Sequence, residues 1–253
     1  MLMKTITPIV ARIKGMHRTR VDFHRAEKRL TLQIKAICRR LCGGDKAEAA
    51  KLYKAITSNG EHEHAHVALG YLMPFFAARD LLGQERKRAE KALEKAAKQL
   101  PVWPWVESVK GVSALTLGQI VGEAGDLDLY ANPAKLWKRM GLAVINGERQ
   151  RKVTDKDLAI EHGYSPQRRS IVWNLGECIV KAQVRKGADE ESPSTAIGPY
   201  GELYLQHREY ERGRVESLAH ANNRAKRYVT KRILRDLWRA WRTEEVIEMR
   251  AAA

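Results

Sequence analysis

Cysteine is scarce in this sequence. There are three in 253 residues, Cys38, Cys42 and Cys178, and no Cys-x-x-Cys pair. That usage excludes a disulfide framework and a cysteine-based zinc site. Cys38 and Cys42 lie one helical turn apart, so no disulfide is expected between them, and all three are expected to act as small buried hydrophobes. No apolar run is long enough to span a bilayer, and no secretory signal or lipidation motif is recognised; the Met-Gly-x-x-x-Ser start of a myristoylated chain is missing. A cytoplasmic protein with no membrane partner is the expectation. Acidic residues are also in deficit. There are 30 Asp and Glu against 46 Lys and Arg, a formal net charge of +16. On an otherwise ordinary globular composition, that excess favours a polyanionic partner, with nucleic acid first.

The chain opens with a short basic lead, Met1 to Gly15. From about Arg18 to Leu41 the spacing predicts a helix: Phe23, Leu30 and Ile37 recur every seven residues, beside Ile34 and Leu41. Gly43-Gly44-Asp45 ends it and caps a second helix, Lys46 to about Thr57. A long helix is expected from about Ala65 to Leu100, kinked at Pro74. Its second half repeats Leu82, Ala89 and Ala96 every seven residues, which makes it one arm of an antiparallel pair with the Arg18–Leu41 helix. Such a pairing serves either homo-oligomerisation through a coiled coil or an intramolecular bundle. Between these helices, Glu61-His62-Glu63-His64-Ala65-His66 contains a His-Glu-x-x-His spacing. On one helix that spacing would turn His62 and His66 to the same side as metal candidates. The plainer expectation is a polar helix start, with no metal and no cofactor.

Val109 to Leu142 organises the rest. Pro101 to Ser108 reads as a short helix, Val109-Lys110-Gly111-Val112-Ser113 as a hairpin, and Ala114 to Ala124 as a second helix stopped by Gly125. In such a helix-hairpin-helix, Gly111 permits a sharp turn and the second helix opens with unpaired N–H groups that suit a phosphate. Lys110, Gly111, Ser113 and Thr116 are therefore candidate phosphate contacts. Further on, Asn146-Gly147 between extended arms predicts a β-hairpin whose second arm carries Arg149, Arg151 and Lys152. Ser165-Pro166 predicts the start of a substantially buried helix reaching about Lys186, with Trp173 on it and Arg168 and Arg169 in its first turn. Gly187 to Gly201 reads as a loop. From His207 to Arg242 there are eleven Lys and Arg against four acidic residues. The final helix, about Asn222 to Met249, sets Arg224, Arg227, Lys231 and Arg235 among Tyr228, Leu234, Leu237 and Trp241. Arginine on such a face matches phosphate with its planar fork.

Gly111-Val112-Ser113, Ile120 to Asp126, Tyr130 to Leu136 and Met140-Gly141-Leu142 follow in one order at tight spacing. This pattern, over Pro101 to about Gln183, resembles the C-terminal domain of the IS110/IS116/IS902 family of transposases, although Ser113 stands where the hairpin usually has a second glycine. The resemblance implies DNA transposition or recombination. It also implies an N-terminal ribonuclease-H-like domain with four acidic residues for two metals, and a nucleophilic serine after the Gly-Leu step. Here the N-terminal region reads as helical, with no strand led by Asp, and Met140 to Val153 has no serine. Ser165 and Ser170 are the remaining catalytic candidates, and capping explains them better. Glu123 and Asp126 read as structural.

These readings together predict a mainly α protein with three parts. Residues 1–100 form a helical coiled-coil region. Residues 101–186 form a helix-hairpin-helix domain with a small β-hairpin, and residues 187–253 a loop and basic C-terminal helix. The expected function is DNA binding through the phosphate backbone, without enzymatic activity of its own. A serine-dependent recombinase or nuclease, and a coiled-coil module for an acidic protein partner, are the alternatives.

Overall fold

A computed structural model describes residues 8–58, 60–187 and 194–243. The chain is mainly helical, with two small antiparallel strand pairs. No described helix is long and apolar enough to cross a membrane. The described residues form two compact units, one within 16–92 and the other made of those up to 15 and from 93 onward.

In the first unit, α2 (Lys46–Ser58) and the parts of α1 (Pro8–Leu41) and α3 (Ala65–Ala97) within 16–92 build a small core around Ile34, Cys38, Leu52, Ala68 and Leu72. Helix α1 already includes Pro8, the first described residue, earlier than the expected Arg18. It ends where Gly44 N–H reaches back to the Arg39 carbonyl at 2.8 Å, and Asp45 caps α2 through Ala47 and Glu48. The antiparallel arms meet within one chain. Arg20 pairs with Glu90 at 3.1 Å, and Arg86 pairs with Glu27 at 2.7 Å and with Glu90 at 2.9 Å.

The second unit is layered around α10 (Leu218–Ala240). This helix packs on α8 (Pro166–Gln183), α9 (Pro199–Arg212), α6 (Pro133–Arg139) and α4 (Trp103–Ser108). Its buried face is Val229, Ile233, Leu234 and Leu237, continued by Trp241. Helix α5 (Ala114–Ala124) lies on α8 and buries Leu117, Ile120 and Val121. The expected β-hairpin is present. Strand β1 (Val144–Ile145) pairs with β2 (Glu148–Arg149) around Asn146 at φ 51° and Gly147 at φ 80°, the left-handed pair such a two-residue turn requires. A short helix, α7 (Lys156–His162), follows. A second pair was not foreseen. Val184 and Arg185 leave the end of α8 and bond to Ala196 and Thr195, so α8 stops at Gln183, short of Lys186. Helix α10 ends at Ala240, where Trp241 caps it, short of the expected Met249. The remainder of the expected final helix, from residue 244, lies outside the described residues.

Candidate nucleic-acid interface

The helix-hairpin-helix forms as expected, with Ser113 accepting the Thr116 N–H at 3.1 Å and its Oγ lying 3.0 Å from the Thr116 hydroxyl. These two hydroxyls are thus engaged with each other in the cap. Gly111, at φ 96°, presses on α8: a Cβ there would come within 2.9 Å of the Cys178 carbonyl oxygen and of the Ile179 Cα. The hairpin glycine therefore permits close packing between the hairpin and α8. Lys110 keeps an exposed side chain, while its carbonyl accepts from the Gln183 amide at 2.8 Å.

A different group forms about 15 Å away, toward the other end of α8 at a rise of about 1.5 Å per residue. Helix α6 closes with Gly141 at φ 78°, and the Leu142 N–H reaches back to the Trp137 carbonyl at 2.8 Å. Four cations from three segments gather on this turn. Arg169 of α8 packs on it, its Cβ 3.4 Å from where a side chain on Gly141 would start. Arg227 of α10 donates through Nη2 to the carbonyls of Leu142 at 2.9 Å and Ala143 at 2.8 Å. Lys231, one turn further along α10, stands over the Trp137 ring at 5.0 Å. Arg149 reaches the same place from β2, paired in register with Val144. The four interact electrically. Burial and then the charges of Arg169 and Arg149 hold the Arg227 pKa down, and burial with Arg227 and Arg169 lowers that of Lys231. Arg169 is lowered mainly by burial, with Tyr164 opposing the shift and Arg149 adding to it. Among the described residues no carboxylate is paired with any of the four.

The other basic residues expected to bind are differently placed. Arg168 lies near Glu123, 3.4 Å away, and Arg151 pairs with Glu148 at 2.9 Å. Arg224 pairs with Glu211 at 2.8 Å, and Arg235 with Asp236 at 2.9 Å. Lys152 is exposed just beyond the hairpin. Ser165 caps α8 through the Arg168 N–H at 3.4 Å, and Ser170 donates to the Gln167 carbonyl at 2.8 Å, so both hydroxyls have local structural partners. Asp126 accepts from the Trp241 indole at 3.0 Å and from the Asp128 N–H at 3.0 Å, a structural role as expected.

His62 and His66 are not on one helix. Helix α3 begins at Ala65, and His62 sits before it, 3.6 Å from Glu48. Three or more potential ligands do not cluster anywhere among the described residues. The cysteines depart partly from expectation: Cys38 is buried, Cys42 is half-buried and Cys178 is exposed, all three as free thiols. Trp173, expected on a buried face, is 37% exposed, with Arg169 at 5.7 Å and Lys226 at 4.9 Å from its ring. The four-residue spacing of Ile171, Leu175 and Ile179 carried that signal, since it leaves Trp173 on the far side of α8.

Compared with family models, curated proteins and solved structures, the chain shows no match.

Proposed function

We propose that this protein binds nucleic acid, DNA in the first instance, through the cationic turn formed by Arg149, Arg169, Arg227 and Lys231. The observation that carries this reading is the convergence of four cations, three of them with depressed pKa values, without a carboxylate pairing to them among the described residues. Desolvating like charges beside one another costs free energy. A phosphate backbone would offset that cost by neutralising them and releasing its own counterions. The order of glycine and aspartate motifs over Gly111 to Leu142 supports a setting in DNA transposition or recombination, in the cytoplasm, as a DNA-handling protein. Binding to phosphates in this way favours DNA shape over base sequence.

The test is fluorescence anisotropy with a labelled duplex of about twenty base pairs over a potassium chloride series. Arg149→Ala should weaken binding about three- to tenfold and reduce the slope of log K against log salt by about one. Arg212→Ala, at a position paired with Glu209 on the surface, should leave both nearly unchanged. Equal effects of the two substitutions, or no binding by the wild-type protein at low salt, would overturn the reading.

A further inference from the structure

The cationic turn is compact. Arg169 packs on Gly141, Arg227 bonds to Leu142 and Ala143, and Arg149 stands opposite Val144. Lys231 lies one turn, about 6 Å of helix rise, from Arg227. Three of these cations thus meet the Gly141–Val144 stretch and Lys231 stands beside it over the Trp137 ring, instead of the four being strung along a track. A strand passing by offers one negative charge per phosphodiester, spread along its length at one per about 3.4 Å of axis. A phosphomonoester gathers between about −1.5 and −2 on a single group at pH 7, with three strong acceptor oxygens. Arginine forks answer such a group with paired hydrogen bonds, and lysine adds a point charge. The turn also carries flat rings. Trp137 lies beneath Lys231, and the edge of Tyr164 comes within 3.6 Å of where a Gly141 side chain would begin. A ring at the site gives a surface on which a terminal base can stack.

We infer that the cationic turn at Gly141–Val144 is a site for the terminal phosphomonoester of a nucleic-acid strand. This rests on the nucleic-acid reading above and narrows it: the ligand is a strand end and not an uninterrupted backbone. The depressed pKa values of Arg227 and Lys231 agree with a cluster whose charge is balanced only when a multiply charged anion arrives. The chemistry would be shared by a free mononucleotide, so the experiment separates the two sources.

One single-stranded 15-mer, labelled internally, is titrated with the full chain in three forms: 5′-phosphate, 3′-phosphate and hydroxyl at both ends. At pH 7.5 and moderate salt, one phosphorylated form should bind at least tenfold more tightly than the hydroxyl form. The preference should shrink below pH 6, where the monoester dianion takes up a proton and keeps a single negative charge. Arg169→Gln and Lys231→Gln should each remove most of the preference, lowering the affinity of the phosphorylated form by a larger factor than that of the hydroxyl form. Circular dichroism of each variant establishes that it is folded. Equal affinity for all three forms would overturn the strand-end site while leaving nucleic-acid binding in place. Failure to bind any form would overturn both. A mononucleoside 5′-monophosphate that competes at the concentration of the phosphorylated 15-mer would move the site to free nucleotides and likewise overturn it.

Discussion

The buried side chain of Gln183 donates through Nε2 to the Lys110 carbonyl at 2.8 Å, tying the last residue of α8 to the turn of the helix-hairpin-helix. The same amide faces the other way too. Its Oε1 accepts the N–H groups of Tyr200 at 3.0 Å and Gly201 at 3.3 Å, two of the donors that open α9. Gly198, the residue that caps α9, makes no side-chain cap bond, so a glutamine from another helix supplies the acceptor. Gly201 belongs to the arrangement, since a Cβ there would collide with the Gln183 carbonyl oxygen. Gln183→Met keeps the length of the side chain and removes its donor and acceptors. It should cost about 2–4 kcal/mol, because buried polar groups lose their partners. Urea denaturation measures this, and a loss under 0.5 kcal/mol, roughly the scale of ordinary surface substitutions, would show that the amide is not a junction.

Gly111 has no room for a methyl group and a backbone angle that disfavours one. Its φ of 96° lies in the left-handed region, and α8 backbone atoms stand within 2.9 Å of the missing Cβ. Gly111→Ala should therefore destabilise the unit by about 2–4 kcal/mol, from conformational strain and overpacking together. Ser113→Ala, which removes only the α5 cap, should cost about 1 kcal/mol. Thermal unfolding of both variants ranks them. The reverse order would mean that the hairpin does not press on α8 in solution.

Asp126 permits a clean distinction between a structural and a catalytic carboxylate. Its Oδ1 receives the Trp241 indole N–H and the Asp128 N–H, both at 3.0 Å. An asparagine oxygen accepts from the same donors, so Asp126→Asn should stay within about 1 kcal/mol of wild type, whereas Asp126→Ala should lose about 1–3 kcal/mol. Both proteins should bind DNA as tightly as wild type when folded. Equal destabilisation by Asn and Ala would show that the negative charge, and not the hydrogen bonds, matters at this position.

The helices were legible in the sequence wherever one residue type carried the boundary. Gly43-Gly44-Asp45, Ser113, Gly125 and Ser165-Pro166 all mark ends that the fold uses, and Asn146-Gly147 specifies its turn without any long-range partner. The Val184–Ala196 pairing was not legible, because two-residue strands have no period to detect and owe their position to Gln183 and α9. The cationic turn was half-legible. Arg149, Arg169, Arg227 and Lys231 stand out by type, but so do Arg151, Arg224 and Arg235, and only the fold separates those left without a carboxylate from those given one. Trp137 and Tyr164 do not stand out in the sequence for the same reason. Nothing in their spacing says that the fold sets Trp137 beneath Lys231 on α10, or brings Tyr164 to Gly141 at the end of α6.

Protonation of His207 should weaken the fold, and the direction follows from its surroundings. The imidazole stacks on Tyr228 at 4.0 Å and on Tyr210 at 5.5 Å, between α9 and α10. Burial lowers its pKa below 6.5; Glu211, 3.4 Å away, opposes that shift, and Arg224 and Arg232 add to it. The folded state thus binds a proton less readily than the unfolded chain. Stability is complete above the unfolded value of about 6.5 and is lost as pH falls through 6.5 toward the lower folded pKa. His24 behaves alike, lowered first by burial and then by Arg20 and Arg86. The midpoint of urea unfolding should therefore fall between pH 7.5 and pH 5.5. His207→Phe keeps a ring between the two tyrosines and cannot titrate, so it should flatten part of that dependence and leave the share due to His24. A variant as pH-sensitive as wild type would place the acid-labile group elsewhere. A variant unstable at both pH values would instead show that the contact with Glu211, one turn along α9, and not the stacking alone, stabilises this face of the helix.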